Sequence, residues 1–201
     1  MEYFILSLIW GFYFALHSVL ASNDVKSYFK KRFPSFYPYY RIFYNLIALF
    51  LLIPMHLFQQ SIPPIMLINK GVLMSVLGGG IMFVGLILGL LAFRNYSGKE
   101  FVGLDFRNDN VGLKTGNLNV SGLNQYVRHP LYFATLLMVW GYFIIWPTLM
   151  VLVIACVISV YLVVGTKLEE KKLIAEFGDQ YLQYKKQVPM LIPFFICKPK
   201  K

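Results

Sequence analysis

Three groups of polar residues in this chain have types and spacings that can do chemistry. The densest is Gln125-Tyr126-Val127-Arg128-His129-Pro130-Leu131-Tyr132. Pro130 suits the first turn of a helix, where its missing N–H costs nothing. Arg128 and His129 then sit at the positive end of that helix, a place that favours anions. The second group is Lys167-Leu168-Glu169-Glu170-Lys171-Lys172, two adjacent carboxylates just after a long apolar run. The third joins His17 and Ser18 to Arg41, Tyr44 and Asn45, with Arg41 and Asn45 on one helix face at i+4. Together these groups offer cations or helix amides for a carboxylate, and carboxylates for an ammonium or for ribose hydroxyls. Such a set suits a zwitterionic, nucleoside-bearing cofactor, with an apolar partner delivered by a membrane.

Each group also has a plainer reading. Arg128 and His129 can anchor a membrane helix from its basic side. Glu169 can pair with Lys172 at i+3 on an amphipathic helix, and Arg41 can snorkel from a helix end. His56 lies apart from the others and reads as structural. Three scattered histidines, with no HExxH and no CxxC, give no metal site. Nucleophile motifs such as GxSxG are missing, as is the phosphate-cradling GxxxxGK[ST].

The elements that must position these groups are membrane helices. Of 201 residues, 58% are hydrophobic and only 14% charged, with a mean hydropathy of +0.60. That is too few charges to cover a soluble globule and far too apolar for a disordered chain. The net charge of +10 does not indicate a nucleic-acid partner, because basic proteins of that kind are not normally this apolar. Apolar runs cover 3–21, 42–58, 71–93 and 131–165. The last is too long for one span and is interrupted at Trp146-Pro147, so it reads as a hairpin of 131–146 and 148–166. The fold class is therefore an all-α integral membrane protein of five transmembrane helices, a single membrane domain over 1–201. The stripe Leu168, Leu173, Ile174, Phe177, Tyr181, Tyr184 and Val188 adds a cytoplasmic amphipathic C-terminal helix, ended by Pro189 and Pro193.

With the N-terminus outside, loops 22–41 and 94–130 and the tail after 165 face the cytoplasm. They carry eighteen of the nineteen Lys and Arg residues, all but Lys70. Val19-Leu20-Ala21 would suit signal cleavage, but Glu2 and the lack of a basic leader predict a retained span. Cys156 lies in a span and Cys197 in the tail, so no disulfide is expected. Gly85-x-x-x-Gly89 is a close-packing pattern for membrane helices, and Gly78-Gly79-Gly80 either packs a neighbour or lets a ligand lie against the backbone.

The run from Gly122 to Tyr132, the Glu169-Glu170 pair, and Phe177-Gly178-Asp179-Gln180-Tyr181-Leu182-Gln183-Tyr184 with Val188-Pro189 and Ile192-Pro193 carry a family resemblance. In order and spacing, over roughly 75–193, they resemble the integral-membrane methyltransferases that include isoprenylcysteine carboxyl methyltransferases and phospholipid N-methyltransferases. The resemblance implies S-adenosylmethionine as cofactor. It implies that Tyr126, Arg128, His129, Pro130 and Tyr132 line the cofactor cleft, that Glu169 and Glu170 close it, and that Tyr181 and Tyr184 pack nearby. Gly78-Gly79-Gly80 would correspond to a Gly-x-Gly of the phospholipid branch. Leu16-His17-Ser18-Val19-Leu20-Ala21, Tyr40-Arg41-Ile42-Phe43-Tyr44-Asn45, Phe101-Val102-Gly103-Leu104 and Val188-Pro189-Met190-Leu191 are similar to the branch containing bacterial methanethiol S-methyltransferases. The chain departs from that branch by lacking a further N-terminal span.

On this resemblance, 71–193 form the cofactor-binding core and 1–70 the acceptor side, where His17, Arg41, Tyr44 and Asn45 meet the substrate. The expected reaction moves a methyl group from S-adenosylmethionine to a lipophilic or small thiol or carboxylate acceptor. Arg41 favours an anion, which ranks S- or O-methylation above phospholipid N-methylation. An NADPH-dependent sterol-type reductase and a non-enzymatic scaffold are the alternatives. The expected partners are the acceptor and the bilayer, with no obligate protein partner. A bacterial inner membrane with the active site on the cytoplasmic side is the expected location.

Overall fold

Hydrocarbon offers backbone N–H and C=O groups no partner, so the apolar runs must satisfy them internally as helices. The computed structural model describes residues 1–94 and 118–193, and there the chain is helical apart from turns and one isolated bridge, Met66 to Thr148. The helices are α1 (Glu2–Leu20), α2 (Asn23–Arg32), α3 (Tyr40–Ser61), α4 (Val72–Phe93), α5 (Pro130–Ile145), α6 (Leu149–Phe177) and α7 (Asp179–Gln187), with 3-10 turns at Tyr37–Tyr39 and Gly122–Gln125. Four segments are long and apolar enough to cross a membrane: Glu2–Leu20, Tyr37–Ser61, Val72–Phe93 and Leu149–Phe177. The fifth apolar helix, α5, has 16 residues, about 24 Å at ~1.5 Å per residue. The chain is an all-α integral membrane protein.

The described residues fall into two compact units, one of 1–67 with 148–157, the other of 68–94, 118–147 and 158–193. In the first, the loop expected at 22–41 holds a helix of its own. Ser22 caps α2 by accepting from Val25 N at 3.4 Å, and Lys30, Lys31 and Arg32 complement its C-terminal end. Phe29 of α2 lies 4.5 Å from the ring of Tyr40, whose hydroxyl donates to Leu20 O at 2.8 Å. This ties the end of α1 to the start of α3.

In the second unit, α4 and α5 meet through small residues seven apart. Gly78, Gly85 and Ala92 are the buried positions of α4; Ala134 and Gly141 are buried on α5. A Cβ on Gly78 would meet Gly141 O at 2.6 Å, and one on Gly85 would meet Ala134 O at 2.9 Å. A Cβ on Gly89 would meet only ordinary contact at 3.7 Å, and Gly79 and Gly80 have nothing within 4 Å. The working period is thus two helical turns, not the single-turn Gly85-x-x-x-Gly89 pattern, and only Gly78 of the triplet is packed. At the other end of α5, Trp146 receives Lys70, whose Nζ lies 3.3 Å from the ring centroid.

The C-terminal stripe also departs from expectation. Residues 167–177 continue α6 without a break, and Gly178, at φ +54°, separates them from the short α7. Only glycine takes that conformation readily, so the single amphipathic helix expected over 168–188 is two helices with a corner.

Gly85→Ala and Gly141→Ala are each expected to lower stability by about 1–3 kcal/mol by forcing the helices apart. Gly80→Ala, with open space around it, should be neutral or stabilising by up to about 1 kcal/mol. Thermal unfolding in detergent compares the three, and equal losses at all three sites would contradict the seven-residue packing.

Candidate functional site

Pro130 opens α5, as its fixed φ and missing donor dictate, and this places His129 at the cap and Arg128 just before it. The His129 carbonyl accepts the first helical bond from Phe133 N at 3.1 Å. Its own amide donates to Met190 O at 3.2 Å, and Arg128 N donates to Pro189 O at 2.9 Å. Two consecutive amides ahead of α5 therefore hold the chain that follows α7.

The side chains converge on Glu170, near the end of α6. Its Oε1 accepts from Arg128 Nε at 2.7 Å and lies 2.6 Å from Nη2, while Oε2 lies 2.8 Å from Lys185 Nζ. The Arg128 and Glu170 side chains are 6% and 4% exposed, so this is a buried ion pair with a second cation at its rim. Arg128 Nη1 also donates to Lys185 O at 3.1 Å and to Val188 O. His129 lies between the two carboxylates, with Nδ1 3.5 Å from Glu169 Oε2 and Nε2 3.4 Å from Glu170 Oε1. Nε2 is buried and makes no hydrogen bond. Tyr132 stacks beside the imidazole at 5.6 Å and 21°. Glu169 keeps 43% of its side chain exposed and faces His129.

Below this cluster, Tyr181, Tyr184 and Val188 form a buried core with Leu118, Leu173, Ile174 and Phe177 against them. Tyr184 donates to Asn124 O at 2.6 Å, while the buried Tyr181 hydroxyl makes no hydrogen bond of ordinary geometry. Burial, then the Glu170 carboxylate, push the Tyr181 phenol above its ordinary range, with Arg128 pulling it part of the way back. Burial pushes Tyr184 up to about 12. Both phenols therefore stay neutral donors at physiological pH.

The structure thus gathers Arg128, His129, Pro130, Tyr132, Glu169, Glu170 and Tyr181 into one cluster of the second unit. Tyr126 stands apart from the core, 64% exposed. In the first unit, the ring of His17 lies 5.9 Å from that of Tyr44, edge-on at 67°. His17 Nδ1 and Arg41 Nε are buried without hydrogen bonds, and Asn45 on the next turn is half-buried. His56 pairs with Gln60 at 2.9 Å on the surface. Phe101-Val102-Gly103-Leu104, Lys99, Arg107, Lys114, Cys197 and the last three lysines lie outside the described residues.

Two residues of these sites were not singled out in the sequence. Lys185 sits fifteen positions beyond Glu170 across the Gly178 corner, a separation no helical spacing signals. Trp10 carries a third buried and unbonded donor in the first unit, one heptad before His17 on α1. That i, i+7 relation of two polar-tipped residues within an apolar helix was the available signal.

Glu170→Ala leaves a buried guanidinium uncompensated and is expected to cost about 3 kcal/mol or more, against less than about 1 for the exposed Glu169→Ala. Tyr184→Phe should cost about 1 kcal/mol. Because the folded Tyr184 value is raised from 10, the stability tied to its neutral form is complete below pH 10 and is lost as pH climbs toward 12. Stability curves in detergent from pH 7 to 12 should therefore show a smaller alkaline loss for Tyr184→Phe, and an unchanged loss would contradict the assignment.

Comparison with known proteins places this cluster inside a recognised sequence family. The phospholipid methyltransferase family model matches residues 73–180, more than half of the chain. The chain is 50% identical over 70 residues to the methanethiol S-methyltransferase of Crocosphaera subtropica, covering 35% of this chain and 27% of that protein. It is 43% identical over 72 residues to methanethiol S-methyltransferase 1 of Bradyrhizobium diazoefficiens, covering 36% and 25%. With methanethiol S-methyltransferase 2 of the same organism it shares 35% identity over 104 residues, covering 51% and 34%. The chain thus matches about a quarter to a third of the length of these relatives. No solved structure matches it. Arg128, His129, Glu169 and Glu170 all lie within 73–180, and by that match the chain belongs to the phospholipid methyltransferase family.

Proposed function

We propose that the protein is a membrane-embedded methyltransferase that moves a methyl group from S-adenosylmethionine to a small or lipophilic thiol or carboxylate acceptor. The observation that carries the reading is the buried cluster of Arg128, His129 and Glu170, with Glu169 at its exposed edge, within the family-matched region. The residues fit the cofactor in type. Glu169, with its carboxylate partly exposed, takes an ammonium or ribose hydroxyls. The aromatic faces of His129 and Tyr132 suit a sulfonium, and the unbonded Tyr181 hydroxyl is a neutral donor. Pro130 fixes the helix start, Arg128 and Glu170 stand behind them, and the exposed Tyr126 is proposed for the rim of the cleft.

When bound, the cofactor supplies a methyl group on a positively charged sulfur, whose displacement leaves a neutral thioether. The chain's residues then have to align the acceptor and exclude water rather than create charge. A thiolate or carboxylate acceptor requires no base at the transfer step. In the first unit, Arg41 Nε and His17 Nδ1 are buried without partners, a costly state that an anion would relieve. With Tyr44 and Asn45 they are proposed to take the acceptor. The relatives named methanethiol S-methyltransferases support a thiol; a cation at this position opposes an amine, and so opposes phospholipid N-methylation.

Titration of the purified protein with S-adenosylmethionine and with reduced nicotinamide cofactor tests the reading. Binding of the first alone is expected; binding of the second would mean a reductase, and of neither a scaffold. Labelled methyl should enter thiols or prenylcysteine analogues, and label in phosphatidylethanolamine instead would overturn the acceptor assignment. Arg41→Ala is expected to keep cofactor affinity and lose at least tenfold in turnover, whereas His129→Ala should lose at least tenfold in affinity.

The loops rich in Lys and Arg are proposed to face the cytoplasm of a bacterial cell. In a background without Cys156 and Cys197, a Lys70→Cys variant should react with an impermeant maleimide in intact cells. A Lys31→Cys variant should react only after permeabilisation, and the reverse pattern would invert the topology.

A further inference from the structure

We infer that Arg128 is a positioning residue: it straps the 185–190 segment to Glu170, sets the His129–Glu169 pair, and does not itself touch the methyl donor. This rests on the methyltransferase reading for what the site binds, and on geometry alone for what Arg128 does.

Guanidinium has five N–H donors, and four are spent. Nε and one hydrogen of Nη2 serve Glu170 Oε1, at 2.7 and 2.6 Å. Nη1 serves two backbone carbonyls, Lys185 O at 3.1 Å and Val188 O. At most one donor remains, with the Tyr181 hydroxyl beside it, and a bidentate grip on a ligand carboxylate needs two side by side. Glu170 is equally committed, because Oε1 takes both Arg128 nitrogens and Oε2 takes Lys185 at 2.8 Å. Neither member of this buried pair has its charge available to a ligand.

What the pair does instead is join three pieces of chain: the start of α5, the end of α6 and the 185–190 segment. The Arg128 amide holds Pro189 O at 2.9 Å and the His129 amide holds Met190 O at 3.2 Å, so the guanidinium and two amides grip one short segment at the carbonyls of Lys185, Val188, Pro189 and Met190. That segment brings Lys185 to Glu170 and keeps Tyr184 bonded to Asn124 O at 2.6 Å. The consequence for the site runs through Glu170 Oε1. It lies 3.4 Å from His129 Nε2, and Arg128 occupies it from its own side. Without Arg128, that oxygen needs a new donor, and His129 is the nearest buried nitrogen, which would draw the imidazole away from Glu169.

The test separates a strap from a ligand contact. Two ligands are compared by calorimetry in detergent: S-adenosylmethionine, and its decarboxylated analogue, which keeps the sulfonium and lacks the carboxylate. For Arg128→Lys, both affinities are expected to fall together, by tenfold or more, with their ratio held within twofold. Should the loss of the guanidinium geometry unfold the protein, the neutral pair Arg128→Gln with Glu170→Gln serves the same comparison. Loss of affinity for S-adenosylmethionine alone, so that the ratio collapses, would mean that Arg128 reads the carboxylate and would overturn the inference. Hydrogen exchange of the ligand-free variants supplies the independent reading. Amides over 185–190 should exchange at least tenfold faster, with those of α4 unchanged; unaltered exchange over 185–190 also overturns the inference. If the wild-type protein binds neither ligand, the methyl-donor reading falls, and the exchange result still decides the strap.

Discussion

A carboxylate cannot stay ionised in a dry interior without opposite charge, and much of the second unit is arranged around that constraint at Glu170. Desolvating such a group costs several kcal/mol, which is repaid only with good geometry and full hydrogen bonding. Glu170 meets both conditions by drawing Arg128 from the start of α5 and Lys185 from α7. The corner at Gly178 is what makes this possible, because a straight continuation of α6 would carry Lys185 some 22 Å beyond Glu170 at ~1.5 Å per residue. One glycine conformation thus brings the second cation to the site.

The helix pair α4 and α5 gives the cluster a fixed base. In lipid there is no hydrophobic force between helices, so close approach of backbones and dispersion must hold them. Gly78, Gly85 and Ala92 against Ala134 and Gly141 provide that approach over two heptads, about four helical turns. Ala134 lies one turn beyond Pro130, so the same seam that packs the helices also fixes the start of α5, where Arg128 and His129 are mounted. The polar cluster is held from below by packing and from the side by charge.

Much of this was legible in the sequence, and what was not has identifiable causes. Apolar length and the Trp146-Pro147 break give the helices, because the membrane allows long apolar runs no other form. Pro130 gives the start of α5 and therefore the place of Arg128 and His129. The glycine packing was legible only in part: a four-residue pattern looks alike whether or not the neighbouring helix uses it, and the seven-residue set is seen only with Ala134 and Gly141 in view. α2 was hidden because its ten residues are mostly polar and its stability comes from the Ser22 cap and from Phe29 against Tyr40. The C-terminal stripe was read as one helix because apolar periodicity passes through Gly178 without marking its positive φ. Glu169 and Glu170 stood out as a pair, yet adjacent residues on a helix point about 100° apart, and their environments differ accordingly: Glu170 is buried with two cations, Glu169 faces His129 with nearly half its side chain in solvent.

That difference gives the two acids separate work, and it also changes the meaning of the positive surplus. A surface Arg or Lys near a membrane needs no partner, and most of the cations here are of that kind. Arg128 and Lys185 are distinguished by what they hold, since together they neutralise one buried carboxylate and fasten the chain that carries it. With Glu170 paired in this way, the carboxylate left facing outward at the cluster is Glu169, beside an imidazole. One accessible carboxylate beside aromatic faces suits a cation that also has apolar surface, as the sulfonium cofactor proposed above has. Had Glu170 remained unpaired, burial would have favoured its protonated form and left a neutral acid beside the imidazole. The buried ion pair is thus a condition for the role proposed for its neighbour, as well as for the fold.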